Sequence, residues 1–364
     1  MLFPPATCPR LVVKIGSALL VDEAGVRRPW LAGLAAELAG RARAGQQLAV
    51  VSSGAIALGA RRLALPKGGR ASLEDAQAAA ATGQIALAGT WAEVLAAEGL
   101  TAAQMLVTLD DLEDRRRYLN AAATLDRLLG LGVVPIINEN DSVATEEIRF
   151  GDNDRLAARV GVACGAAGVV LLSDVDGLYD RNPALPGAQH IPEVTRLDGS
   201  IEAMADAGSA SGLGSGGMVS KLAAARIATQ AGVALAIASG RAEQPLAPER
   251  HTLFHPAGRA TARRAWLAGR LAPRGTISVD AGAARALRGG SSLLAAGAVA
   301  AEGRFARGDL VSIEGPEGPV ARGLVEYDIA DARRLLGRRS DEHAALLGHE
   351  PRAALVHRDH MVLV

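Results

Sequence analysis

Through the first two thirds of the chain, apolar residues come in short unbroken runs. These are LVVKIG (11–16), QLAVVSSG (47–54), AQMLVT (103–108), VVPIIN (133–138), GVVLLSD (168–174) and VALAIASG (233–240). Runs that are apolar at successive rather than alternate positions are the pattern of strands covered on both faces. Helix-like stretches separate them, among them 30–44, closed by Gly45, and 115–130, closed by Gly132. This alternation predicts an α/β domain, a mostly parallel sheet with helices on both faces. The polar residues of these strands stand at their C-terminal ends: Lys14, Ser52, Ser53, Asn138, Ser173, Asp174 and Ser239. Ligands of open α/β sheets bind just beyond that edge, so a site is expected there.

The texture changes after residue 240. Prolines recur over 241–275, which reads as a connector laid over the surface. Beyond it TISVD (276–280), DLVSIEG (309–315) and VARGLVEY (320–327) are short strand candidates punctuated by Gly-Pro and Gly-Gly turns. They predict a small β-barrel. The expected division is therefore a first domain over 1–258, a connector over 259–274 and a β-rich domain over 275–364.

Composition narrows the class. The 364 residues are 49% hydrophobic and 21% charged, ample for two cores in an ordinary globular chain. The uncharged, apolar run from Gly161 to Ser173 is too short to cross a bilayer, and the N-terminus shows no secretory pattern. Two cysteines, Cys8 and Cys164, make no disulfide framework and fit a reducing, cytoplasmic compartment. Net charge is zero; residues 251–274 carry five arginines and no acid, and 275–364 carry 11 arginines against 12 acids. No domain has the basic excess of a dedicated nucleic-acid binder.

Lysine usage is more informative than these averages. Of the 39 basic residues only three are lysine: Lys14, Lys67 and Lys221. A chain that writes arginine almost everywhere keeps lysine where a compact ammonium is needed. Lys14 lies in KIGS (14–17), where Gly16 lets a ligand approach the backbone and Ser17 adds donors, a combination suited to phosphate. Lys221 ends SGLGSGGMVSK (211–221), a glycine-rich loop leading into a helix, whose N-terminus favours anions. That loop contains GxGxxG but lacks the preceding strand and later acid of a dinucleotide fold, and GxxxxGK[ST] occurs nowhere. A third cluster runs from Asn138 to Asp154, with Asn138, Asn140, Asp141, Asn153 and Asp154 at its two ends. Such acid–amide groups bind a cation, an ammonium group or their own backbone, and GDND is also a good helix cap.

Together LVVKIGS, VVSSGAIALG, AQMLVTLDDLEDRRRYLNA, PIINENDSVATEEIRFGDNDRLAA, LLSDVDGLYDRNP and SGLGSGGMVSKLAAA resemble the glutamate 5-kinase family of the amino-acid kinase superfamily. The tail, with TISVDAGAARALRGGSSLL, FARGDLVSIEG and VHRDHMVLV, is similar to the PUA domain that follows many of these kinases. The resemblance implies ATP-dependent phosphorylation of the γ-carboxylate of L-glutamate, the first step towards proline. It implies that Lys14 and Lys221 hold the phosphates, that Asp154 orients them, and that Ser53, Asp141 and Asn153 hold glutamate. ATP would be cradled by Lys14, Ser173, Asp174, Ser215, Gly216, Gly217, Met218, Val219, Ser220 and Lys221. Mg²⁺ is expected through the nucleotide's phosphates, with no protein ligand assigned. The likeness also implies proline as feedback inhibitor and a homo-oligomer. Two alternatives stay open: a kinase for aspartate or N-acetylglutamate, and RNA binding by the PUA-like domain, against which the tail's charge balance stands.

Overall fold

The computed structural model describes residues 1–22, 25–143, 152–207, 217–256 and 273–364. The chain divides into two compact units, Met1–Arg259 and Ala260–Val364. Residues 259–272 of the expected connector lie outside the described residues.

Eight strands build the sheet of the first unit: β1 Arg10–Ile15, β2 Gln47–Ser52, β3 Ala102–Val107, β4 Val134–Glu139, β5 Gly168–Ser173, β6 Glu193–Val194, β7 Ala234–Ser239 and β8 His251–Phe254. Their spatial order is β6-β8-β7-β5-β1-β2-β4-β3. The six strands from β7 to β3 run parallel, and β8 joins β7 antiparallel. All six runs read from the sequence are strands, within two residues at each end; the short β6 and β8 extend the sheet beyond them.

Both faces of the sheet are covered. Leu11, Val13 and Ile15 of β1 enter one core with Leu31, Leu34 and Leu38 of α1 (Arg28–Arg43) and Leu87 and Trp91 of α3 (Leu73–Ala97). Between those helices in sequence lies α2 (Ala55–Arg62). Val12 enters the opposite core with Leu125 of α4 (Arg115–Gly130), Leu156 of α5 (Asp152–Ala163) and Leu222 of α6 (Met218–Gln230). Alternate residues of a strand point to opposite faces, so a strand apolar at every position needs this double cover. Gly45 and Gly132, just past α1 and α4, take positive φ of 85° and 72°, the left-handed conformation that stops a helix.

From β1 the chain builds outward first through β2, β3 and β4, then returns to place β5 on β1's other side. The order therefore reverses between β1 and β5, and a crevice opens at such a point beyond the strands' carboxyl ends.

The second unit holds β9 Gly275–Val279, β10 Ala298–Gly303, β11 Leu310–Gly315, β12 Gly318–Val325 and β13 Val356–Leu363 in one mixed sheet of order β10-β9-β11-β12-β13. The β9–β11 pairing is parallel and the rest are antiparallel. The helices α7 (Ala281–Arg288) and α8 (Ile329–Leu335) are capped by the side chains of Asp280 and Asp328. Ile277, Leu287, Phe305, Val311, Ile313, Tyr327 and Leu335 fill a core of the unit's own.

Candidate active site

Lys14 is the penultimate residue of β1, flanked in register by Val51 of β2 and Leu171 of β5. As an even-numbered residue of that strand it shares Val12's face, the face on which α5 and α6 pack. Asp154 sits in the first turn of α5, where a carboxylate is favoured by the helix dipole. Lys221 sits in the first turn of α6, which begins at Met218 behind an N-cap Gly217.

These three side chains meet. Lys14 Nζ lies 2.5 Å from Asp154 Oδ1 and Lys221 Nζ lies 3.2 Å from Asp154 Oδ2. Asp154 has no exposed surface, and Lys14 and Lys221 are 7% and 5% exposed. Burial pushes the Asp154 carboxyl up, but the flanking Lys14 and Lys221 ammonium groups outweigh it and hold the group below the usual carboxylate range. One anion between two cations leaves a net positive charge in a nearly dry place. An ion set of that kind is costly to bury and is suited to a ligand that brings further negative charge.

A second polar group adjoins the first. The backbone N–H of Ser53, in the loop after β2, donates to Ile15 O at 3.2 Å, which ties that loop to the end of β1. Asn153, next to Asp154 on α5, donates through Nδ2 to Ser53 Oγ at 2.8 Å and to Asn138 Oδ1 at 3.0 Å. Asn138, at the end of β4, donates through Nδ2 to Gln84 Oε1 at 2.8 Å. Asp141 follows in the turn after β4 and interacts with the Arg70 guanidinium, whose pKa burial lowers and Asp141 raises. Gly54, which turns the chain from Ser53 into α2, has φ 110° and so requires glycine.

At the end of β5, Ser173 Oγ donates to Asp174 Oδ1 at 2.9 Å, and Ser173 O accepts from Gly240 N at 2.8 Å. Gly217, Met218, Val219 and Ser220 form the start of α6; a Cβ added at Gly217 would meet nothing within 4 Å. Ser215 and Gly216 lie outside the described residues. The structure thus joins Lys14, Asp154 and Lys221 directly, links Ser53 and Asn153 directly, and places Ser173 at the end of the neighbouring strand with Asp174 just beyond it.

Among the described residues, no three His, Cys, Asp or Glu side chains gather as a metal site. The carboxylate of Asp154 is committed to two lysines. No helix of the described residues is long and apolar enough to cross a membrane.

Sequence reasoning missed Gln84, which lies on α3 and is 8% exposed. It named Asn138 as a polar strand end and as a member of the acid–amide cluster, with no role of its own. The missed signal is a polar residue in a helical stripe that is otherwise Ala80, Leu87, Trp91 and Leu95, all buried.

A family model described as the amino acid kinase family matches residues 9–239, and one described as the PUA domain matches residues 275–347. A glutamate 5-kinase of Sphingopyxis alaskensis is 72% identical over 366 aligned residues, spanning the whole of both chains. A glutamate 5-kinase of Novosphingobium aromaticivorans is 64% identical over 99% of this chain and 97% of its own. One of Zymomonas mobilis subsp. mobilis is 59% identical over all of this chain and 93% of its own. A likeness of this depth, carried through both units, means that the chain belongs to the amino acid kinase family and, within it, to the PUA-bearing glutamate 5-kinases.

Proposed function

We propose that the chain transfers the γ-phosphoryl group of ATP to the side-chain carboxylate of L-glutamate, giving γ-L-glutamyl phosphate and ADP. The observation that carries this reading is the pair of buried ammonium groups on one buried carboxylate, at the crevice where the strand order reverses. A carboxylate acceptor has a pKa near 4.3 and is already ionised at neutral pH, so the reaction needs no general base. A carboxylate oxygen attacks the γ-phosphorus, the bond to the β,γ-bridging oxygen breaks, and ADP leaves with that electron pair. The difficulty is bringing one anion onto another, so catalysis consists of positioning and charge neutralisation.

In this scheme Lys14 and Lys221 hold the transferring phosphoryl group, and Asp154 keeps both ammonium groups on one side of it. Ser53 and Asn153 with Asp141 hold glutamate, Asp141 facing its α-ammonium. Asn153 and Asp154 are neighbours on α5, so one helix turn sets acceptor and phosphoryl group relative to each other. Ser173 and Asp174 with residues 215–221 cradle the nucleotide. Mg²⁺ is expected to arrive on the nucleotide's phosphates, with no protein ligand assigned to it.

The same reading carries the rest of the expected organisation. The kinase domain spans 1–258, with a connector over 259–274 and the PUA-like domain over 275–364. A cytoplasmic homo-oligomer, inhibited by proline, is the form in which we expect it to work. The test is coupled ADP release measured with glutamate, aspartate, N-acetylglutamate and carbamate in turn. Turnover that depends on glutamate is expected. Turnover with another acceptor and none with glutamate overturns the reading.

A further inference from the structure

We propose that Gln84 is a positioning residue that fixes which end of the Asn153 amide faces the amino-acid substrate. This rests on the reading that Ser53 and Asn153 hold that substrate.

The orientation of an amide side chain is ambiguous until something of known polarity touches it. Here a main-chain group does. The backbone N–H of Glu139, which is only a donor, points at one end of Asn138 at 2.9 Å, so that end is the carbonyl Oδ1. The other end is therefore Nδ2, and the Gln84 atom that receives it at 2.8 Å is Oε1. Asn138 Oδ1 also meets Asn153 at 3.0 Å, and an acceptor there requires the Asn153 atom to be Nδ2. The two hydrogens of that Nδ2 go to Asn138 Oδ1 and Ser53 Oγ.

Two consequences follow for the site. Asn153 Oδ1 is buried and has no hydrogen-bond partner among the described residues, which leaves it as an acceptor for a substrate ammonium group. Ser53 Oγ already accepts from Asn153, so its own hydrogen is directed away, free for a substrate carboxylate. Reversal of the Asn153 amide would exchange these polarities and set a carbonyl against Ser53 Oγ and Asn138 Oδ1. An α-amino acid carries both charges on one carbon, so a site with an acceptor and a donor side by side reads that pair.

Gln84 holds the far end of this chain. Its Oε1 is the acceptor for Asn138 Nδ2, while its own Nε2 is buried without a partner among the described residues. An unmade hydrogen bond in the interior is destabilising, so the residue is not there for stability alone. Its placement is built into the packing. A Cβ on Gly83, the preceding residue, would come within 1.8 Å of Ala55 O, and one on Gly59 within 1.8 Å of Ala79 O. The backbones of α2 and α3 touch at these two glycines, and that contact places Gln84 over the end of β4. Two turns further on, Trp91 Nε1 donates to Ser52 Oγ at 2.9 Å, so the same face of α3 also braces β2.

The test compares Gln84→Met, which keeps the shape and removes the acceptor, with Gln84→Glu, which offers an acceptor in either protonation state. For Gln84→Met we expect KM for glutamate to rise about tenfold or more, the weight of one misplaced buried hydrogen bond. KM for ATP should stay within about twofold of wild type, and Gln84→Glu should recover most of the loss. A folded Gln84→Met with unchanged KM for glutamate overturns the inference. A parallel loss in both KM values and kcat that Gln84→Glu does not recover also overturns it, because that pattern marks a merely structural role.

Wild-type turnover of glutamate, measured first, tests the underlying reading by itself. If it is lacking, the amide chain is judged by a crystal structure of Gln84→Met. There the Asn138–Asn153 bond is expected to open, and finding it intact counts against us. Should Gln84→Met fail to fold, a structure of wild type with glutamate decides. Asn153 Oδ1 on the α-ammonium supports the inference, and Asn153 Nδ2 in that place refutes it.

Discussion

Replacing Asp154 by asparagine tests the centre of the site without changing its shape. The wild-type carboxylate balances two ammonium groups at 2.5 and 3.2 Å, all three side chains being buried. An asparagine presents a carbonyl to one lysine and an NH₂ donor to the other, so one ammonium loses its partner and meets a repelling dipole. Removing one member of a buried ion set destabilises by about 3–5 kcal/mol, because the remaining charge is left uncompensated. For a unit of this size each kcal/mol moves Tm by about 2–4 °C, so the first unit should melt about 6–20 °C lower. That loss fits within the usual folding stability of about 5–15 kcal/mol, and the variant should still fold in the cold.

Activity should fall further than stability. Misplacing one donor to a developing phosphoryl charge costs about 10²–10³ in kcat. Affinity for ATP should hold or improve, since the two lysines have lost the Asp154 charge and a polyphosphate brings negative charge to the same place. Nucleotide should therefore raise the variant's Tm at least as much as it raises wild type's. Thermal melts with and without ATP, beside coupled ADP-release kinetics, read all three quantities. A folded Asp154→Asn enzyme with kcat within tenfold of wild type would refute the reasoning, and so would a selective loss of ATP affinity.

Other perturbations follow from the same structure. Gly59→Ala puts a Cβ 1.8 Å from Ala79 O in the α2–α3 contact, and overpacking of that kind costs about 1–3 kcal/mol or more; denaturant melts should show it. Burial pushes the Cys8 and Cys164 thiols up to about 11, so neither should react with a thiol reagent at pH 8 until the chain unfolds. In the second unit burial pushes Glu326 up, but His360, Arg307 and Arg352 together hold it below its ordinary value. A lowered carboxylate stabilises above its unfolded pKa of about 4.3 and loses that contribution as pH falls through the lower native value. Glu326→Gln should therefore lower stability at pH 7 and flatten the acid limb of the stability curve. A variant curve parallel to wild type's would count against the cluster.

Legibility of this chain from its sequence divides along the length scale of the interactions. Five of the six parallel strands were readable because cover on both faces leaves a local mark, an apolar run bounded by polar residues; β3 lies at the sheet's edge with Gln104 and Leu106 exposed, and only its run of residues gave it away. The two-residue β6 and the four-residue β8 are too short to leave such a mark; β8 is held by pairing to β7 and β6 by pairing to β8. In the second unit β10, AVAAEG, carries too few β-branched residues to announce a strand, and β13, VHRDHMVL, places charged residues where the sheet edge meets solvent. Lys14 was readable because an ammonium inside a buried strand violates the pattern around it, and Lys221 because lysine is rare here.

Gln84 was not readable in the same way, although it too violates a pattern. It interrupts the buried stripe of α3, but the surrounding segment, AQAAAATGQIALAGTW, is so rich in alanine and glycine that the stripe has little contrast. Its partner, Asn138, is 54 residues away, and the link exists only because two glycines on different helices let backbones touch. The charges that would drive phosphoryl transfer are thus written locally. The polarity that would orient the acceptor is written in tertiary packing, where a single backbone N–H settles the direction of three amides in series.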